Sequence, residues 1–182
     1  MKTTVYIATT LDGFIARENG ELDWLPGSDG ETSVDSGNED FGFNAFMGSV
    51  DTLIMGRNTY ESVISMGTWP YGNKQVIVMS NTLRGLAHNV PHTVKLSSES
   101  PIGLYRSLEI SGAKHVYIDG GKTIQGFLDS DLIDEIILTR VPVLIGKGIP
   151  LFGPLNSDKK LNHIETQSYR NGFVQTRYKV IS

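Results

Sequence analysis

The apolar positions of the chain fall into short runs that predict buried strands and amphipathic helices. Runs rich in β-branched and aromatic residues predict strands at residues 4–9, 51–56, 75–80, 93–96 and 115–119. Apolar residues at helical spacing predict one helix at residues 39–48, another at residues 57–65, and a third that starts at Ser100 and Pro101. Strands and helices therefore alternate along most of the chain, which favours a parallel sheet with helices on its faces.

The C-terminal part departs from this alternation. A predicted strand at residues 135–143 is followed by a glycine- and proline-rich stretch and then by two more predicted strands, at residues 163–167 and 173–180. Asn171 and Gly172 lie between those two strands, and an Asn-Gly pair favours the tight turn of a β-hairpin. The predicted fold class is α/β, with a mixed, mainly parallel central sheet that is flanked by helices and closed by a C-terminal antiparallel hairpin.

Composition narrows the class of protein. With 182 residues, 39% of them hydrophobic, the chain is expected to form a single domain, residues 1–182. A net charge of −4 argues against nucleic acid or an anionic membrane as a partner. The chain has no cysteine, and its four histidines lack the spacing of a metal site, so no metal is expected. No run has membrane-spanning length and the N-terminus does not resemble a signal peptide, so we expect a cytoplasmic protein.

A long polar segment follows the first strand. Residues 17–38 are rich in Gly, Ser, Asp and Glu, which predicts a loop. Loops of this length are uncommon in compact domains and are often functional, so the segment is interpreted as a cover over an active site. A surface excursion without a function is the alternative interpretation.

Two strand-to-helix junctions are the candidate binding sites for phosphate. The first is GRNTYES, in which Gly56 ends a strand, Arg57 supplies a charge, and Asn58 and Thr59 lie at the start of a helix. A helix N-terminus presents unpaired backbone N–H groups, and an arginine pairs with phosphate oxygens bidentately. An ordinary strand-to-helix turn with a solvated arginine is the alternative.

The second junction is VYIDGGKTIQGFL, where Gly120, Gly121, Lys122 and Thr123 follow a buried strand. It is not a P-loop, because the position of that motif's first glycine is Val116, and the glycines do not fit the Rossmann spacing. The remaining interpretations are a diglycine turn aimed at one phosphate group or a plain structural turn. Ser80, Asn81 and Thr82 follow another strand at the same predicted edge, where they could hold a ribose phosphate or simply form a turn.

Four ordered segments give the chain a family resemblance. IATTLDGFIA, MGRNTYES, VYIDGGKTIQGFL and LIDEIILTRVPVLIGKGIPLF resemble the dihydrofolate reductase-like superfamily, in particular the branch related to the reductase domain of bacterial riboflavin biosynthesis. The resemblance runs nearly end to end. It implies an eight-stranded sheet with NADPH across its carboxyl edge.

The resemblance also implies a set of cofactor-binding residues. Ala8 would touch the carboxamide of the cofactor and Ile15 would lie beside the nicotinamide. The remaining positions would lie at its phosphates: Gly56, Arg57, Asn58, Thr59, Ser80, Asn81, Gly120, Gly121, Lys122 and Thr123. Arg57 would favour NADPH over NADH, because a guanidinium discriminates the extra phosphate.

By the same resemblance, Asp40 matches the catalytic carboxylate of the folate enzymes and Thr139 a threonine that supports it. Asp40 is equally well interpreted as a helix-capping residue, and Glu39 or water as the proton source. The substrate would lie between the first strand, the helix at residues 39–48 that includes Phe43, and the loop that carries Trp24.

The expected function is an NADPH-dependent reductase that passes hydride to a small heterocyclic or ribosylamine substrate. The first compound implied by the resemblance is 5-amino-6-(5-phosphoribosylamino)uracil and the second is dihydrofolate. The alternatives are a non-catalytic NADP(H)-binding module and an antifolate-binding protein. A homodimer is expected by family analogy, with the apolar segment at residues 141–152 as a candidate surface.

Overall fold

The central sheet has eight strands, and five of its seven pairings are parallel. The computed structural model describes residues 1–26 and 39–181. In spatial order the strands are β5 (Val94–Ser97), β4 (Gln75–Met79), β3 (Thr52–Gly56), β6 (His115–Asp119), β1 (Lys2–Thr10), β7 (Glu135–Val141), β10 (Val174–Ile181) and β9 (Lys160–Ser168). The predicted fold class, including the antiparallel hairpin at the C-terminal end, is confirmed.

Four helices cover the sheet in the described part of the chain: α1 (Phe43–Ser49), α2 (Arg57–Ser65), α3 (Pro101–Ile110) and α4 (Gly121–Asp129). Side chains of α3 and α4 pack against one face, together with alternate residues of the strands such as Val5 and Ile118. Side chains of α1 and α2 pack against the other face, together with Leu53 and Tyr117. Successive residues of a strand point to opposite faces of the sheet, so each central strand contributes to both cores.

Several predicted boundaries differ from those of the structure. The first helix begins at Phe43 rather than at residue 39, because Phe41 and Gly42 have positive φ angles of 56° and 82° that interrupt the helical backbone. β7 ends at Val141 rather than at residue 143. β9 extends from Lys160 to Ser168 with every residue exposed, so it has no burial pattern that a sequence could reveal.

A short second sheet was not predicted. β2 (Phe14–Ala16) pairs antiparallel with β8 (Ile149–Pro150), although neither strand is longer than three residues. The backbone N–H of Leu151 also donates to the carbonyl oxygen of Gly13, at 3.1 Å. The two segments therefore form one unit beside the large sheet.

The predicted loop at residues 17–38 is described only in its first half. Arg17 and Asp23 form a bidentate pair there, with N···O distances of 2.6 and 2.9 Å. Trp24 is buried with Val141 and Phe173. Residues 27–38, and with them most of the predicted cover, lie outside the described residues.

The segment predicted as a dimer surface is only partly exposed. Val141 and Leu151 are buried, whereas Leu144 and Phe152 are exposed. Within the described residues, no helix has the length and apolar character needed to cross a membrane.

The core assignment leads to a prediction about stability. Phe127, on α4, is fully buried, so Phe127→Ala is expected to lower the free energy of unfolding by about 3–5 kcal/mol, measured by urea denaturation. Ile110 is 88% exposed at the end of α3, and Ile110→Ala is the matched control, with an expected change within about 0.5 kcal/mol. A loss below about 1 kcal/mol for Phe127→Ala would contradict this packing.

Candidate active site

A cavity of about 700 Å³ lies at the carboxyl ends of β1, β3 and β6. Both predicted junctions line it, since Gly56 and Gly120 end neighbouring parallel strands and α2 and α4 start there. Open α/β sheets bind their ligands at this edge. The predicted residues that line the cavity are Ala8, Ile15, Gly56, Arg57, Asn58, Thr59, Gly120, Gly121, Lys122 and Thr123.

Reciprocal contacts between glycines and threonines bring the two junctions together. A Cβ atom on Gly120 would clash with the Oγ1 atom of Thr59, and Gly120 also has a φ of 90°. A Cβ atom on Gly56 would lie 2.8 Å from the Oγ1 atom of Thr123. A larger residue at either position would force the facing threonine to shift, and at position 120 it would also have a strained backbone conformation.

The starts of α2 and α4 are suited to an anion. Their N-cap residues are Gly56 and Gly120, so neither N-cap has a side chain that could occupy the first N–H groups of its helix. Backbone N–H groups and the positive end of the helix dipole therefore face the cavity. This arrangement fits the phosphates of a dinucleotide.

Arg57 is the charged group at the first junction. Its side chain is partly exposed, 3.9 Å from the carboxylate of Glu61, and its Nη1 atom donates to the Oγ1 atom of Thr82 at 3.2 Å. Ser80 and Asn81 lie next to Thr82 but do not line the cavity; the Oγ atom of Ser80 accepts the N–H groups of Thr82 and Leu83 and so forms the turn. Thr82 connects this turn to Arg57, a role that the sequence did not suggest.

The unit of β2 and β8 forms another wall. Ile15 packs against Gly121, where a Cβ atom would lie 2.7 Å from its Cδ1 atom. The carboxylate of Asp12 accepts the backbone N–H groups of Ile145 and Gly146, which joins the turn before β2 to the segment before β8. The hydroxyl of Thr10 also donates to Asp12, and this hydrogen bond is the largest of the effects that lower its pKa. The bonds from Gly146 and Ile145 lower the pKa further.

Asp119 is a carboxyl group in the cavity that sequence reasoning missed. It is the last residue of β6, and its Oδ1 atom accepts the N–H of Gly120 at 2.8 Å. Burial raises its pKa from 3.8 to about 6, against the lowering effect of the hydrogen bond from the N–H of Gly120. The sequence did contain a signal, which is a carboxylate that directly follows an apolar strand and precedes a glycine pair. Buried strands of this kind seldom end in a charged residue.

Tyrosines lie on the same side as Asp119. The hydroxyl of Tyr117 donates to the carbonyl oxygen of Tyr6 at 2.9 Å, and burial raises its pKa well above 10. Burial, with the nearby charge of Asp119, raises the pKa of Tyr71 above its usual value. The hydroxyls of Tyr71 and Tyr117 therefore remain protonated beside Asp119 at neutral pH. Burial also raises the pKa of Tyr6, to about 12.

The two residues predicted to be catalytic lie elsewhere. Asp40 lines a second cavity, of about 530 Å³, and its carboxylate accepts the N–H groups of Gly42 and Asn44, which lower its pKa. Thr139 is buried and accepts a hydrogen bond from the Nε2 atom of Gln175 at 3.0 Å. The structure does not bring either residue to the cavity with the two junctions.

Tyr6 separates the two cavities and lines both. Its hydroxyl donates to the carbonyl oxygen of Phe41 at 2.8 Å and lies 3.2 Å from the Nε2 atom of Gln175. The predicted substrate residues are also outside the junction cavity: Phe43 packs on Tyr6, with ring centroids 5.4 Å apart, and Trp24 is in the apolar cluster with Phe173.

Comparison with known proteins gives consistent findings. A family model described as the RibD C-terminal domain matches residues 1–175. Uncharacterized protein YwjB of Bacillus subtilis (strain 168) is 35% identical over 179 residues, which cover 97% of each chain. The crystal structure of a putative riboflavin biosynthesis protein from Shewanella sp. PV-4 is 42% identical, covers 100% of both chains and has a TM-score of 0.91.

A more distant structure supports the fold. The Thermotoga maritima diaminohydroxyphosphoribosylaminopyrimidine deaminase/5-amino-6-(5-phosphoribosylamino)uracil reductase has a TM-score of 0.70 at 14% identity, with 99% of this chain matched to 56% of that one. The resemblance to reductase domains of riboflavin biosynthesis, which have the dihydrofolate reductase-like fold, is confirmed. Because the family model matches nearly its whole length, this chain belongs to the RibD C-terminal domain family.

Proposed function

We propose that the protein is an NADPH-dependent reductase that acts on a small heterocyclic or ribosylamine electrophile. The observation that carries the proposal is the meeting of two helix starts with glycine N-caps at one cavity. Family membership supports a reductase of the riboflavin-pathway type. Deep, mainly apolar cavities with a few convergent polar groups are the usual sites of cofactors and small substrates.

The residues present fit a dinucleotide phosphate chain. In this proposal the N–H groups at the starts of α2 and α4 would hold the phosphates, with Thr59 and Thr123 beside them. Arg57 would hold the additional phosphate that distinguishes NADPH from NADH. Ala8 and Ile15 would lie at the nicotinamide end, as the family resemblance implies.

Hydride transfer would be the chemistry that bound NADPH supplies, and a proton is needed as well. Asp119 is better suited to hold this proton than Asp40. It lines the cavity and its raised pKa leaves a fraction protonated near neutral pH, whereas Asp40 is exposed, ionised and occupied as a cap. Thr139 would then support the packing of Tyr6 and Gln175 rather than a catalytic acid.

The first compounds to assay are 5-amino-6-(5-phosphoribosylamino)uracil and dihydrofolate. Oxidation of NADPH is followed by its absorbance. Binding of NADPH without turnover of any acceptor would instead favour a non-catalytic NADP(H)-binding module, and tight binding of an antifolate without turnover would favour an antifolate-binding protein.

Arg57→Ala tests the cofactor assignment. Loss of the guanidinium is expected to weaken NADPH binding about tenfold or more and NADH binding about threefold or less, measured by calorimetry. Arg84→Ala is the matched control, because Arg84 is an exposed arginine that does not line the cavity. Equal losses for both nucleotides would contradict the placement of the extra phosphate at Arg57.

Asp119→Asn tests the proton donor through turnover. The expected result is a fall in the rate constant for reduction of about a hundredfold or more, because Asn cannot release a proton. Asp40→Asn is the matched control, with little change in rate, because Asn retains the capping ability of Asp40. A large loss with Asp40→Asn and none with Asp119→Asn would reverse the two assignments.

The same substitution makes a prediction about stability and pH. At pH 8 the ionised Asp119 destabilises the folded state, because its pKa is raised from 3.8 to about 6. Asp119→Asn is therefore expected to increase the free energy of unfolding at pH 8 by about 1–3 kcal/mol. The difference should shrink as the pH falls through the interval from about 6 to about 4, and disappear below it, where the carboxyl is protonated in both states. Urea denaturation at pH 4 and pH 8 measures both values, and a difference independent of pH would contradict the raised pKa.

A further inference from the structure

Thr82 lies beside the guanidinium of Arg57, although the two residues are 25 positions apart in the chain. β3 and β4 pair in parallel with Gly56 opposite Met79, so the residues that follow each strand meet at the carboxyl edge of the sheet. The Nη1 atom of Arg57 donates to the Oγ1 atom of Thr82 at 3.2 Å. The contact therefore follows from the register of the two strands.

The position of Thr82 is fixed by the turn to which it belongs. The backbone N–H of Ser80 donates to the carbonyl oxygen of Ser97 at 2.9 Å, which ties the end of β4 to β5. The Oγ atom of Ser80 accepts the backbone N–H groups of Thr82 and Leu83, at 3.2 and 2.9 Å. The hydroxyl of Thr82 adds one longer contact to the same oxygen, at 3.4 Å. Because backbone groups form the turn, it does not depend on that hydroxyl.

The guanidinium of Arg57 has two further partners among the described residues. Its Nη2 atom donates to the Oδ1 atom of Asn58 at 3.5 Å, and its Nε atom lies 3.9 Å from the carboxylate of Glu61. Both distances exceed that to Thr82, and the pair with Glu61 is exposed on both sides, so it contributes little. Thr82 therefore provides the shortest of the three contacts that orient the guanidinium.

A hydroxyl group orients an arginine without cancelling its charge. A carboxylate in the place of Thr82 would pair bidentately with the guanidinium and occupy the donors that a phosphate needs. A guanidinium carries five N–H donors, and the bonds to Thr82 and Asn58 use one on each terminal nitrogen, so both nitrogens keep a donor. Orientation before binding also reduces the conformational entropy that the long side chain loses when an anion binds.

We infer that Thr82 is a positioning residue that gives Arg57 its selectivity for the extra phosphate of NADPH. This inference rests on the proposed function, because it concerns the phosphate assigned to Arg57. It adds a residue that does not itself line the junction cavity and that acts through the guanidinium. The competing interpretation is that Thr82 is a plain turn residue.

Thr82→Val tests the inference, because it removes the hydroxyl and keeps the backbone N–H that Ser80 accepts. Calorimetric titration with NADPH and NADH, and with 2′,5′-ADP and 5′-AMP, measures the preference for the extra phosphate. This preference is expected to fall about fivefold, with the affinity for NADH changed by about twofold or less. Thr82→Ser retains a hydroxyl and should keep the preference of the unmodified protein. Thr166→Val is the matched control, because Thr166 is an exposed threonine of β9 outside the cavity.

Two more variants separate positioning from a structural role. Thr82→Asp is expected to reduce the preference by about tenfold or more, because a carboxylate would pair with Arg57 and repel the phosphate. When Thr82→Val is added to Arg57→Ala, the preference should change by about twofold or less, since Thr82 acts through the guanidinium. A merely structural role would instead weaken NADH and NADPH alike in every variant.

The outcomes distinguish the inference from the proposed function. A preference for NADPH that depends on Arg57 but is unchanged in Thr82→Val would overturn the inference alone, and so would an effect of Thr82→Val that is equally large without Arg57. If both residues control the preference for 2′,5′-ADP and no acceptor is reduced, the inference is supported and the reductase proposal is overturned. Equal binding of both members of each pair by the unmodified protein would overturn the inference together with the assignment of Arg57.

Discussion

The rest of the candidate site depends on the close approach between the carboxyl ends of the paired strands β3 and β6, which two glycine–threonine contacts permit. Gly120 accommodates the hydroxyl of Thr59, and Gly56 accommodates that of Thr123. Because the helices that follow start from these glycines, the same contacts leave the first N–H groups of α2 and α4 without a side-chain cap. The same two glycines thus account for the close packing of the strand ends and for helix starts that are suited to an anion. A larger residue at either glycine would harm both, which explains why the two functions are found on the same few positions.

The two carboxyl groups considered as proton donors show how environment decides chemistry. Asp40 is exposed and accepts two backbone N–H groups, so it is held ionised and acts as a cap for the turn before α1. Asp119 accepts one backbone N–H group in a cavity lined by tyrosines, and burial favours its protonated form. Both residues are aspartates, so residue type does not distinguish them. The difference arises from hydration and hydrogen bonding, which only the folded chain defines.

Most of the fold followed from residue patterns because the central strands are buried on both faces and the helices have an amphipathic spacing. The pattern was least informative where burial is absent, as in β9, or where a strand is only two residues long, as in β8. The two junctions could be located from the sequence because a glycine directly after a buried strand and before a helix is a recognisable pattern, and both junctions line one cavity. Asp119 could not be weighed in the same way, because a sequence does not show that Tyr71 and Tyr117 surround it. The role of Asp40 was inferred from spacing taken from the folate enzymes, and the structure places Asp40 at the second cavity.

The wall formed by β2 and β8 is attached to the molecule differently from the other walls of the cavity. It pairs within a sheet of its own, and Asp12 fastens it to the segment that contains Ile145 and Gly146. Because Ile15 also packs against Gly121, exchanges in that segment would change the wall of the cavity beside the start of α4. Under the proposed function, this wall is the part of the cavity that would change for a different acceptor, while the residues proposed to hold the nucleotide stay the same.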